Sequence, residues 1–122
     1  MNLGWSSTST LSDPSMLIIE PGVIIGIETL IAGHAIIHGK LFLRPIHLKK
    51  GCTIGVRSAI GAGCTIGENV LLEGAVDVMP GATIPDGVTI GRKSAISKEM
   101  KLTENTRYPG FMIPQEYQKE KK

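Results

Sequence analysis

The stretch that decides the fold runs from residue 52 to residue 91 and reads CTIGVRSAIGAGCTIGENVLLEGAVDVMPGATIPDGVTIG. Every sixth residue in this stretch is aliphatic, and the series continues on both sides of it without a polar interruption. An α-helix needs apolar residues at a spacing of about 3.6, and an ordinary strand needs alternation, so neither explains the period. The pattern is typical of a parallel β-helix, whose short strands form the faces of a prism. The series comprises Leu48, Ile54, Ile60, Ile66, Leu72, Val78, Ile84, Ile90 and Ile96.

A second register, two residues before each aliphatic position, is small or apolar throughout. Residues two apart in a strand share a face, so both registers are predicted to line one interior. Gly often follows the aliphatic residue, as at Gly55 and Gly61, where it permits a sharp corner. Three six-residue steps complete one coil, which predicts columns of residues eighteen apart. The second register comprises Ile46, Cys52, Ser58, Cys64, Val70, Val76, Ala82, Val88 and Ser94.

Upstream of Leu48 the repeat can be read in two phases. The unshifted phase places Glu28, His34 and Lys40 in the interior, where polar groups without partners are costly. We choose the phase shifted by one residue, which needs a five-residue step and predicts an irregular corner between Leu43 and Ile46. Its lining comprises Ile19, Ile25, Ile31, Ile37 and Leu43, with Leu17, Val23, Thr29, Ala35 and Leu41 beside them.

These patterns predict one all-β domain in three parts. Residues 1–16 form a lead-in, residues 17–98 form a β-helix of about four to five coils, and residues 99–122 form a loop and tail. The apolar burial in so short a prism barely offsets the conformational entropy lost on folding, so we expect oligomerisation.

Composition excludes several classes of function. The net charge of +2 is too small to indicate binding to nucleic acid or to an anionic membrane surface. The chain contains no apolar run long enough for a transmembrane helix, and its first residues do not read as a secretory signal. Cys52 and Cys64 fall on different faces of the prism, so we expect two buried thiols and a reducing cytoplasm.

The segment GHAIIHGKLFLRPIHLKKGCTIG (residues 33–55), together with the hexapeptide repeats, resembles the hexapeptide-repeat acyltransferases, which are left-handed parallel β-helices. Within that family it looks like a subgroup related to the terminal acyltransferase-like domains of some nonribosomal peptide synthetases. The resemblance covers residues 17–98. It implies a homotrimer that moves an acyl group, in the simplest case acetyl, from coenzyme A or acyl carrier protein to a hydroxyl or amine. It also places the active sites in grooves between subunits.

The same resemblance implies roles for particular residues. A His in the groove acts as general base, and the motif position favours His34, with His38 second; imidazole suits this task near neutral pH. His47 is expected to be a surface residue. IGRKSAISKEM (residues 90–100) looks like the family's terminal repeat, which implies that Lys98, with Ser97 and more weakly Arg92, binds the coenzyme. TRYPGFM (residues 106–112) replaces the family's usual turn after the last coil.

Two other functions remain open at this point. The γ-class carbonic anhydrases share the fold and bind zinc through His residues from different coils, but no two His residues stack here, and we expect no metal. A non-catalytic trimeric scaffold is the second alternative. Coenzyme A binding distinguishes an acyltransferase from a scaffold.

Overall fold

The computed structural model describes residues 4–5, 10–12 and 16–111. Their strands are two to four residues long, and all but two of them stack in three parallel sheets, which we call faces 1, 2 and 3. In stacking order, face 1 consists of β1 (Gly4–Trp5), β4 (Ile24–Ile25), β9 (Thr53–Ile54), β12 (Leu71–Leu72), β15 (Thr89–Ile90) and β17 (Arg107–Tyr108). Face 2 consists of β2 (Thr10–Ser12), β5 (Leu30–Ala32), β10 (Ala59–Ile60), β13 (Asp77–Val78) and β16 (Ala95–Ile96). Face 3 consists of β3 (Leu17–Ile19), β8 (Ile46–Leu48), β11 (Thr65–Ile66) and β14 (Thr83–Ile84).

The prediction of a parallel β-helix is confirmed. From β8 to β16, consecutive strands along the chain pass from one face to the next, and each pairs in parallel with the strand one coil away. Leu72, for example, pairs with both Ile54 and Ile90, each eighteen residues away. Backbone hydrogen bonds join the coils throughout, as from Thr53 N–H to Val70 O at 2.8 Å and from Leu71 N–H to Val88 O at 3.0 Å. In the described part of the chain, no helix is long and apolar enough to cross a membrane.

The interior is lined by the two registers that the sequence predicts. All nine members of the aliphatic series are at most 1% exposed, and the second register is buried throughout. Polar members of the lining have partners: Thr29 Oγ1 donates to Gly55 O at 3.2 Å, and Ser58 Oγ accepts from Val76 N–H at 3.2 Å. The interior therefore combines aliphatic burial with hydrogen bonds between coils.

The shifted phase is confirmed up to Ile31 and wrong after it. Ile25 and Ile31 are buried, and their neighbours Ile24 and Leu30 are exposed. Residues 33–45, however, leave the prism as an antiparallel hairpin of β6 (His34–Ile37) and β7 (Lys40–Leu43). Leu41 and Leu43, predicted to face inward, are 63% and 52% exposed. Predictions for the side chains of Ala35 and Ile37 fall outside the part of the structure that is described.

The hairpin also replaces the predicted irregular corner between Leu43 and Ile46. Ile19 pairs with Leu48, 29 residues away, because eleven residues more than a regular coil are accommodated outside the prism. Arg44 N–H donates to Gly33 O at 3.0 Å and closes the base of the hairpin. The five-residue step was wrong because several apolar residues of this segment belong to the hairpin and not to the lining.

The stack extends beyond residues 17–98 in both directions. Strand β1 pairs with β4, and β2 pairs with β5, so two short segments of the predicted lead-in join the sheets. The segment after Lys98 was predicted to be a loop, but it contains β17, which pairs with β15 and packs Tyr108 against the core. Residues 112–122 lie outside the described range.

The corner between faces 3 and 1, which we call the 3–1 corner, contains a column of residues with positive φ. Two of its glycines, Gly51 and Gly87, have no room for a side chain because an Asn of the next coil lies against them. A Cβ added to Gly87 would overlap Asn105 Oδ1, and one added to Gly51 would lie 2.6 Å from Asn69 Oδ1. The column comprises Gly22, Gly51, Asn69, Gly87 and Asn105.

We expect Gly87→Ala to destabilise the protein more than Gly81→Ala. Both glycines have a positive φ, of +73° and +82°, so each Ala incurs a cost of about 1–2 kcal/mol for that backbone conformation. Only at Gly87 does the new Cβ also overlap a neighbour; at Gly81 the nearest atom would lie 3.5 Å away. Urea denaturation measures the difference, which the additional change Asn105→Ala should reduce. Equal losses of stability in Gly87→Ala and Gly81→Ala would contradict this packing.

Candidate functional site

The hairpin of β6 and β7 projects from the corner between faces 2 and 3, which we call the 2–3 corner. His38 and Gly39 form its two-residue turn, with φ values of +51° and +75°. Positive φ at both positions is typical of a type I′ turn, whose twist matches that of the flanking strands. The turn places His38, which is exposed, at the tip of the hairpin.

His34 lies at the base of the hairpin, opposite Leu43 in the strand register, and is half-buried. Because side chains alternate along a strand, His34 shares one hairpin face with Ile36, Leu41 and Leu43. Those three apolar side chains are 72%, 63% and 52% exposed. The imidazole of His34 therefore lies outside the prism interior and beside an apolar surface.

His47 makes a side-chain contact with Glu20 that the sequence did not predict. Its Nε2 contacts Glu20 Oε2, and Lys50 N–H donates to Glu20 Oε1 at 3.1 Å. Both side chains of the pair are 33% exposed. The carboxylate is thus held through both oxygens, and it in turn orients the imidazole. The hydrogen bond from His47 is the main cause that lowers the pKa of Glu20 from its usual value of 4.5, and the Lys50 amide acts in the same direction.

The residues expected to bind the coenzyme lie at two different corners. Ser97 and Lys98 follow β16 at the 2–3 corner, from which the hairpin also projects. Arg92 follows β15 at the corner between faces 1 and 2, which we call the 1–2 corner, and lines a cleft of about 160 Å³ there with Arg57 and Lys93. The structure does not bring Arg92 together with Lys98.

Lys98 and the hairpin share a corner but not a coil. Face 2 runs from β5, at the hairpin base, through β10 and β13 to β16, which is about 14 Å along the prism axis. Lys98 is exposed, with its aliphatic part over Gly81. The Oγ of Ser97 is buried and has no hydrogen-bond partner within the described residues.

The two cysteines are buried free thiols, as the sequence predicted. Burial raises the pKa of the Cys52 thiol to about 12 and that of Cys64 above its usual value. Cys64 Sγ also donates to Met79 O at 3.1 Å. Thiols in such surroundings are poor nucleophiles.

Across the described part of the chain, no three His, Cys, Asp or Glu residues come together as possible metal ligands. His47 pairs in the sheet register with Ile18 and Thr65, neither of which binds zinc as a side chain.

No model of a known protein family matches the chain, and no curated protein matches it significantly. The candidate site is therefore assigned from the geometry described above and from the resemblance of residues 33–55 and 90–100.

The replacement Glu20→Gln should change the pH dependence of stability. Because the pKa of Glu20 is lower in the folded state than in the unfolded state, its carboxylate stabilises the protein at pH values above the usual carboxyl pKa. This contribution is lost as the pH falls through the lowered pKa. Urea midpoints measured from neutral to acidic pH should show the wild-type advantage over Glu20→Gln shrinking in acid. Glu99→Gln, at an exposed position, serves as the control. A wild-type advantage that stays constant with pH would contradict the assignment.

Proposed function

We propose that the protein is an acyltransferase of the hexapeptide-repeat type. It moves an acyl group, in the simplest case acetyl, from a coenzyme A thioester or acyl carrier protein to a hydroxyl or amine. The main support is the placement of the half-buried His34 at the base of a hairpin that projects from a parallel β-helix. The resemblance carried by residues 33–55 and 90–100 adds to this, and the left-handed winding belongs to the same proposal.

The chemistry assigned to His34 is general base catalysis. Its imidazole accepts a proton as the acceptor oxygen or nitrogen attacks the thioester carbonyl. The tetrahedral intermediate then collapses, the carbon–sulfur bond breaks, and the proton passes to the departing thiolate. The exposed apolar side chains beside His34 suit a site that excludes water once it is covered.

The contact between Glu20 and His47 favours a second candidate for the base. When the imidazole is neutral, Nε2–H can donate to the carboxylate, which leaves the Nδ1 lone pair to accept a proton. A carboxylate that orients an imidazole in this way is a recurrent arrangement in acid–base catalysis. His38 is the weakest of the three candidates for the general base, because it is exposed at the hairpin tip and no described residue orients its imidazole.

The proposal includes a homotrimer with its sites between subunits. A two-stranded hairpin is at best marginally stable in water by itself, and this one forms a separate sheet within the described chain. Its apolar face bears Ile36, Leu41 and Leu43, which a second copy can cover. The free buried thiols suit a reducing compartment, and we place the protein in the cytoplasm.

The double variant Ile36→Asp/Leu41→Asp should dissociate the oligomer, because it puts two carboxylates into a surface proposed to be buried between subunits. Size-exclusion chromatography with light scattering reports the mass. Lys40→Asp, at a different position of the hairpin register, is the control. An unchanged mass in the double variant would exclude this face from the interface.

Acyl transfer should be detectable as coenzyme A thiol released in the presence of amine and hydroxyl acceptors. The buried cysteines should contribute little background in such a thiol assay. We expect His34→Gln to lower kcat by about 10²–10⁴-fold without dissociating the oligomer. His38→Asn should retain near wild-type turnover, because Asn is favoured in a type I′ turn.

The same assay separates the alternatives. A loss of turnover in His47→Gln with none in His34→Gln would transfer the role of base to His47. Failure of the wild-type protein to bind coenzyme A or acyl carrier protein would refute acyl transfer and leave the scaffold function.

A further inference from the structure

A second described cleft lies at the 3–1 corner, away from the hairpin. Its volume is about 350 Å³, and it is lined by Pro21, Gly22, Lys50, Gly51, Glu68 and Asn69. This volume is at the lower end of the range for small-molecule sites, so the cleft suits a small ligand.

The cleft exists because two successive coils have Gly at the same corner. Gly22 and Gly51 have φ values of +80° and +73° and leave the wall without side chains. Gly51 N–H donates to Pro21 O at 3.1 Å, and Asn69 N–H donates to Lys50 O at 3.0 Å. The Asn69 Oδ1 lies against Gly51. The backbone of the cleft is thus fixed by hydrogen bonds between three coils.

Two residues of opposite charge line this cleft on the fixed backbone. Lys50 and Glu68 occupy equivalent corner positions in successive coils, and both are exposed. Their own amides are held by carboxylates: Lys50 N–H donates to Glu20 Oε1 at 3.1 Å, and Glu68 N–H donates to Asp86 Oδ1 at 2.8 Å. Within the described structure no ion pair joins the Lys50 ammonium to the Glu68 carboxylate. Both charged groups are therefore available to a ligand.

We propose that this cleft binds a small zwitterion of the α-amino acid type. The Lys50 ammonium pairs with the ligand carboxylate, and the Glu68 carboxylate pairs with the ligand ammonium. A simple anion would be repelled by Glu68 and a simple cation by Lys50, so a ligand carrying both charges is favoured over either. The Asn69 amide supplies a further polar contact at the wall.

This site goes beyond the proposed function and does not depend on it. The 3–1 corner and the 2–3 corner are the two opposite edges of face 3, so the cleft and the hairpin are separate. The Glu20–His47 pair adjoins the cleft through Lys50, and it supports the corner from the outer side of face 3.

The test is an NMR titration of the uniformly ¹⁵N-labelled full chain with three probes at equal ionic strength. L-alanine carries both charges, propionate carries only the carboxylate and ethylamine carries only the ammonium. L-alanine should shift the amides of Gly22, Lys50, Gly51 and Asn69, with an affinity about tenfold or more above that of either single-charge probe.

Variants that remove one charge at a time identify the groups that bind. Lys50→Gln and Glu68→Gln should each weaken L-alanine binding about tenfold, while Lys93→Gln, at the 1–2 corner, should leave it unchanged. The proposal is overturned if L-alanine does not shift these amides, if propionate or ethylamine shifts them equally, or if both variants bind as the wild type does. Any of these results would leave the acyl-transfer proposal untouched, because that proposal is tested with coenzyme A.

Discussion

Stacking of the inward side chains limits what each coil of the prism can accommodate. Each inward side chain must lie on its counterpart one coil away, while backbone hydrogen bonds join the same two coils. Ile54, Leu72 and Ile90 form such a column. A coil that satisfies this constraint has eighteen residues, and any additional residues must leave at a corner. A closely packed interior has few voids, so it cannot take in additional side chains.

That constraint explains where the chemistry can occur. The interior is filled by aliphatic side chains, by a few small polar ones such as Ser58 and by two cysteines whose thiols burial keeps protonated, so it has no room for a substrate. The three imidazoles lie on the projecting hairpin or on an outer face, and the described charged side chains lie at corners and outer faces. A ligand must therefore bind at a corner, on an outer face or against another copy of the chain.

The regular coils could be predicted from sequence almost residue by residue, because a six-residue period has only one structural reading at this length. From Leu48 to Ile96 every position predicted to face inward is buried, since Gly and polar residues separate most of the aliphatic ones. Between Ala35 and Leu43 adjacent apolar residues fit more than one register. Alternation and the His38–Gly39 turn indicate a hairpin there, but the coil period fits Leu41 and Leu43 equally well.

The contact between Glu20 and His47 was missed for the same reason. With coils of seventeen or eighteen residues, Glu20 falls next to residues near position 38, and only the eleven additional residues accommodated by the hairpin bring it beside His47. Recognition of the His38–Gly39 turn would have shown that the hairpin leaves the prism, and so that Glu20 and His47 occupy neighbouring positions in successive coils. The separation of Arg92 from Lys98 was, in contrast, readable from the repeat, because the two residues are six apart and so lie at successive corners.

The decisive measurement is a crystal structure of the protein with coenzyme A. We expect the coenzyme in a groove that the hairpin of one copy helps to form. The pocket for the acceptor should be lined by the His34 imidazole and should hold the acceptor nucleophile within about 3–3.5 Å of the thioester group carried by the coenzyme sulfur. Coenzyme A bound far from every imidazole, or a hairpin whose apolar face remains in solvent in the assembled protein, would contradict the acyl-transfer proposal.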